Sequence, residues 1–164
     1  MRRTRLLCAI GLSLWSTVVA CSQEALPSVA LSGVRRAHVE DERFEIVTSI
    51  RGLPLGVREW LQMLFGSPTL DIAESGAEFQ VTDVVGNPRL PIRRLVAAGC
   101  STDHCLVYYE RGGTAHTWQV MLFRWTPAAT RFEWGGSAPG GLATIDEVRN
   151  GILSGAIKSA NPLW

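Results

Sequence analysis

Five β-prone runs follow one another between Glu78 and Gly136: EFQVTDVV, IRRLVAAG, CLVYYE, HTWQVMLFRW and RFEWGG. Only short, turn-forming stretches separate them. Gly86-Asn87-Pro88 closes the first run, residues 101–104 lie between the second and third, Arg111-Gly112-Gly113 follows the third, and residues 127–130 follow the fourth. Parallel neighbours need a crossover of a dozen or more residues, usually a helix. These gaps cannot hold one, so adjacent strands must run antiparallel, and a meander of about five strands is expected.

Residues 43–50 (RFEIVTSI) alternate Phe44, Ile46 and Thr48 against Glu45, Val47 and Ser49, as a strand would. Helical spacing follows in LGVREWLQMLFG, where Val57, Trp60, Leu61 and Leu64 share one face, with Pro54 suited to the first turn and Gly66 to the stop. After the sheet, TIDEVRNGILSGAIK sets Ile145, Val148, Ile152, Ala156 and Ile157 on one side, and Thr144 with Glu147 forms a capping box. Gly151 and Gly155 are expected where this helix closely approaches the sheet. The fold class is α+β, an antiparallel meander sheet packed with one or two helices.

Ahead of this domain, Arg2, Arg3 and Arg5 precede an apolar run over residues 6–20. That is about 15 residues, short of the roughly 20 needed to cross a hydrocarbon core. A positive start, an apolar middle and a small residue at the end form a secretory signal peptide. Val18-Val19-Ala20-Cys21 then resembles the lipobox of bacterial lipoproteins, over the first 21 residues only. The resemblance implies that residues 1–20 are removed and Cys21 is lipidated, anchoring the chain through acyl methylenes that each contribute about 0.8 kcal/mol. The ordinary alternative is cleavage after Ala20 by a general signal peptidase, leaving Cys21 unmodified. Ser22, where inner-membrane retention would use Asp, implies the outer membrane facing the periplasm. Residues 21–37, broken by Pro27 and Gly33, read as a tether, and residues 38–164 as a single α+β domain.

Without residues 1–20 the chain carries 13 Lys and Arg against 15 Asp and Glu. No basic patch is visible, so no nucleic-acid partner is expected. Of four cysteines, Cys8 departs with the signal and Cys21 takes the lipid. Cys100 and Cys105 are left, and in an exported protein they are expected to be joined. The segment between them, in GCSTDHC, supplies ordinary turn residues.

Other chemistry is weaker at this point. Two thiolates with His104 and His116 could offer zinc ligands, but structural zinc sites pair cysteines two to four apart and add a second ligand pair. Asp103, His104 and Cys105 could suggest a nucleophile, yet adjacent strand residues face opposite sides, so His104 is badly placed to activate Cys105, and Ser101 lacks a G-x-S-x-G elbow. GGSAPGG resembles a phosphate loop only superficially, because Asp146 and Glu147 at the next helix start would repel an anion. Glu110 and Glu133 lie at strand ends, and Asp83, between Val81 and Val85, is expected to be partly buried with Arg93 or Arg94 as its partner.

Both alternating faces of HTWQVMLFRW are apolar, so the strand is expected to be central and covered on both sides, the alternative being that one face is a binding surface. Trp134 and Trp164, near polar loops and the terminus, form the candidate binding surface. The expected protein is thus a lipid-anchored envelope module that acts through protein contacts, as a subunit of an envelope complex or as an inhibitor or immunity protein, with no catalytic residue, metal or cofactor assigned. The alternative is a small hydrolase acting on cell wall or lipid.

Overall fold

The structure, a computed structural model, describes residues 31–84 and 86–160. Residues 1–20, read above as a signal peptide, together with Cys21 and Trp164, lie outside these residues. Helix α1 (Gly33–Asp41) leads to strand β1 (Glu45–Val47), a single 3-10 turn (Ile50–Gly52) and helix α2 (Leu55–Phe65). Strands β2 (Arg93–Cys100), β3 (His104–Arg111), β4 (Thr117–Trp125) and β5 (Thr130–Ala138) follow, then helix α3 (Ile145–Ser154) and strand β6 (Lys158–Ser159). All six strands form one sheet in the order β1-β2-β3-β4-β5-β6, and every neighbouring pair is antiparallel. The short connections dictated this meander.

Alternation along β3 sorts the core into two halves. Cys105, Val107 and Tyr109 face α2 and pack with Val57, Leu61, Phe65, Met121 and Phe123. Leu106 and Tyr108 face the other way, against Val39 of α1, Val148 and Ile152 of α3, and Val120, Leu122 and Trp134. β4 is central and buried on both sides, as its two apolar faces require. Helix α2 ends as expected, with Gly66 in the left-handed region at φ 61°.

Helices α1 and α3 lie on the same face and finish each other's ends. Arg149 Nε donates to the Val39 carbonyl and Nη2 to the Glu40 carbonyl, both at 2.9 Å. Arg36 Nη2 returns the favour at the Leu153 carbonyl. Each guanidinium thus satisfies carbonyls that a helix end leaves without intrahelical partners.

Several expectations need correction. Residues 33–37 are not tether: Ser32 caps α1 by accepting from the Arg35 N–H, and the helix escaped notice because only Val39 on it is buried. The EFQVTDVV run makes no regular strand. Its one described β-bridge runs from Thr82 to Gly113, because β1 and a bridge from Ala73 to Arg94 already occupy the outer edge of β2. Phe79 is its buried anchor, under the Arg94 guanidinium, while Val81 and Val84 are exposed. Gly112 permits this approach, since a Cβ there would lie 1.9 Å from the Gln80 carbonyl oxygen.

Helix α3 stops four residues earlier than its periodicity implied. Gly155 adopts φ 79° and ends the helix, so only Gly151 lies in its interior. The Ile157 N–H then bonds back to the Gly151 carbonyl at 2.9 Å, and a Cβ on Gly151 would collide with the Ile157 side chain. Ile157 is buried, but from the returning chain that becomes β6 and not from the helix.

Candidate functional site

Three local devices bring ionisable side chains together where α1 meets the sheet. The first is the end of α1, where His38 and Glu42 stand four residues apart and their side chains meet. The second is the β2–β3 hairpin. Cys100 and Cys105 are bonded across its neck with Cα atoms 4.0 Å apart. Within the turn, the Ser101 N–H donates to the His104 carbonyl at 2.7 Å, and the His104 N–H donates to Ser101 Oγ at 2.9 Å. His104, 1% exposed, therefore points to the α1 face while Cys105 enters the α2-side core.

The third device is a bulge in β5. Leu122 pairs with Trp134 and Phe123 with Phe132, so Glu133 has no partner of its own across β4. Such an extra residue re-aims a side chain. Glu133 is buried on the α1 side, held by Arg131 through contacts of 2.9 and 2.6 Å, with Arg35 at 3.6 Å.

Glu42 is the hub of the resulting cluster. His38 Nδ1 lies 2.6 Å and His104 Nδ1 2.9 Å from the same oxygen, Oε1, while Ser101 Oγ donates to Oε2. The two imidazole rings lie close, with centroids 4.2 Å apart and planes tilted by 31°. Asp103 Oδ1 is 3.3 Å from His104 Nδ1. On its far side, His104 Nε2 is buried without a hydrogen bond, 3.7 Å from Glu133 Oε2. A polar cavity of about 210 Å³ opens alongside, lined by both histidines, Glu133 and the guanidinium-bearing Arg35, Arg124 and Arg131.

No protein-family model, curated protein or solved structure matches this chain. The site must be read from its own chemistry.

A second polar cluster occupies the opposite end of β3. Glu110 accepts from Arg94 at 2.6 Å and meets His116 Nε2 at 2.7 Å, and His116 stacks on Trp118. A third is buried against α2: Arg93, 2% exposed, bonds Asp71 at 2.9 Å and lies over the Phe65 ring. Burial there lowers the pKa of Arg93 and raises that of neighbouring Tyr109.

Against these positions the sequence-based candidates divide. Cys100 and Cys105 pair as expected. Asp103 and His104 reach one site, but His116 belongs to the Glu110 cluster and Asp83 is exposed. Its proposed partners are taken, Arg93 by Asp71 and Arg94 by Glu110. Trp134 is not a surface residue. It is 1% exposed, because its position opposite Leu122 turns the indole into the α3-side core. His38 and Glu42 were missed because the sequence there read as tether and domain edge. Their four-residue spacing was the available signal.

Proposed function

We propose that this chain is a lipid-anchored protein of the bacterial envelope that acts by binding, as an accessory module of an envelope assembly. The observation that carries this reading is the closed Cys100–Cys105 bond, which suits an oxidising compartment outside the cytosol. It accompanies an N-terminal segment built as a signal peptide with Cys21 at its end. With α1 beginning at Gly33, about 12 residues remain between the anchor and the fold, a reach of at most about 40 Å.

Binding is preferred to turnover on the geometry of the hydroxyl and thiol groups near the cluster. Both cysteine sulfurs are consumed in a bond. Ser101 Oγ donates to the Glu42 carboxylate, a far weaker base than the imidazole that activates a nucleophilic serine. His104 itself has its Nδ1 on Glu42 and its buried Nε2 toward Glu133, away from that hydroxyl.

The test is to express the full coding sequence in a bacterial host, fractionate the membranes and analyse the N-terminal peptide by mass spectrometry, with in-cell crosslinking to identify partners. An acylated peptide beginning at Cys21, with a reproducible envelope partner, is expected. A soluble product with unmodified Cys21, or free thiols at Cys100 and Cys105 in exported material, would reject the reading.

A further inference from the structure

We infer that His38, Glu42 and His104 bind a divalent first-row transition-metal ion of the zinc class, with Ser101 and Glu133 as its supporting groups. The inference does not depend on lipid anchoring. Two of the three histidines in the sequence converge here, from a helix and from a strand of the sheet. One ligand atom from each of the three residues lies within 4.8 Å of the others. Two imidazole nitrogens and a carboxylate oxygen are a donor set for zinc and its neighbours, whereas calcium and magnesium take oxygen ligands.

The surroundings match what a metal-binding histidine and carboxylate require. A ligating imidazole passes its other N–H to a carboxylate, and a ligating carboxylate is itself hydrogen-bonded. Ligation through His104 Nδ1 places the proton on Nε2, and Glu133 Oε2 stands 3.7 Å from that atom as the waiting acceptor. His104 Nε2 is a buried polar atom with no hydrogen bond, one of several such side-chain atoms among the described residues, and it is free to donate to Glu133 once it carries the proton. Glu42 is oriented through its other oxygen by Ser101.

The distances need only a small adjustment. Tetrahedral bonds of about 2.0–2.1 Å place ligand atoms about 3.3 Å apart. The present N···O separations of 2.6 and 2.9 Å are hydrogen bonds whose protons the ion would replace. The shift can come from the side chains of His38 and Glu42, both partly exposed, while Arg149 holds the backbone of this helix end.

The test titrates zinc alone into untagged protein expressed from the full coding sequence, by calorimetry and by competition with a chromophoric chelator. One ion per chain with micromolar or tighter affinity is expected, with cobalt giving tetrahedral d–d absorption and with no binding of calcium or magnesium. His38 is partly exposed, so His38→Ala keeps the fold and should weaken zinc binding by more than about 100-fold. Glu133→Gln should weaken it by about 10- to 100-fold, and His116→Ala should leave it unchanged. Affinity no tighter than about 100 μM, or affinity unaltered in folded His38→Ala, would overturn the assignment, and His104→Ala is not needed to decide it.

Discussion

Reducing the Cys100–Cys105 bond isolates the contribution of one crosslink, because both sulfurs remain in place. The loop it closes is short, with a sequence separation of five. The chain-entropy relation for a loop of about five or six residues gives close to 7 cal/mol/K, or about 2 kcal/mol at 25 °C. Against a typical total of 5–15 kcal/mol that is a large share. Urea unfolding with and without a phosphine reductant measures it. With m near 2 kcal/mol/M for a domain of this size, the midpoint should fall by about 1 M with little change in slope. A shift below about 0.3 M would refute the entropic argument. It would mean that the unfolded chain already holds the hairpin together, or that the native bond is strained enough to cancel its benefit.

Trp134→Ala should act on stability and not on a surface. Removing an indole that is 1% exposed should cost about 3–5 kcal/mol and lower the melting temperature by about 10 °C or more in calorimetry, and a loss under 1 kcal/mol would contradict its buried position. Stability should also decline in alkali. Burial pushes the Tyr108 hydroxyl, which donates to the Pro139 carbonyl, up to about 12, against about 10 in the unfolded chain. The folded state holds that proton more tightly, so its contribution is complete below pH 10 and is lost as pH rises toward 12. Tyr108→Phe should flatten that decline in urea midpoints between pH 9 and 12, and an unchanged slope would show that Tyr108 is not its source.

The meander was legible because turn length is a hard constraint: the stretches between β2, β3, β4 and β5 have no room for a crossover helix. The capping box at Thr144 and the stop at Gly66 were equally local and equally readable. What stayed hidden was decided by competition for space. Val81 and Asp83 would share one face of a strand, but the edge they needed was already occupied by β1 and Ala73. Trp134 and Glu133 are adjacent residues whose directions depend on a bulge that no pattern in RFEWGG announces. The candidate site was half visible. Asp103 and His104 stood out beside the cysteines, whereas Glu42 and His38 come from a helix with one buried apolar residue and therefore no periodicity to read.

β3 carries a polar residue at each end of its α1-facing side, and the two are treated differently in a way that separates support from function. Glu110 is 6% exposed, yet each of its oxygens has a close cationic or imidazole partner, Arg94 on one and His116 on the other. Both carboxylate oxygens are satisfied, which is what a stable core requires of a buried acid. His104 is 1% exposed and is satisfied on one nitrogen only. Its second nitrogen stands 3.7 Å from a carboxylate, about 0.5 Å beyond hydrogen-bond range, while that carboxylate is held back by Arg131. Glu110 is therefore completed by its neighbours, whereas His104 is completed on Nδ1 alone. The gap is better understood as room for a change in ligation at Nδ1, which would turn Nε2 into a donor and draw Glu133 toward it.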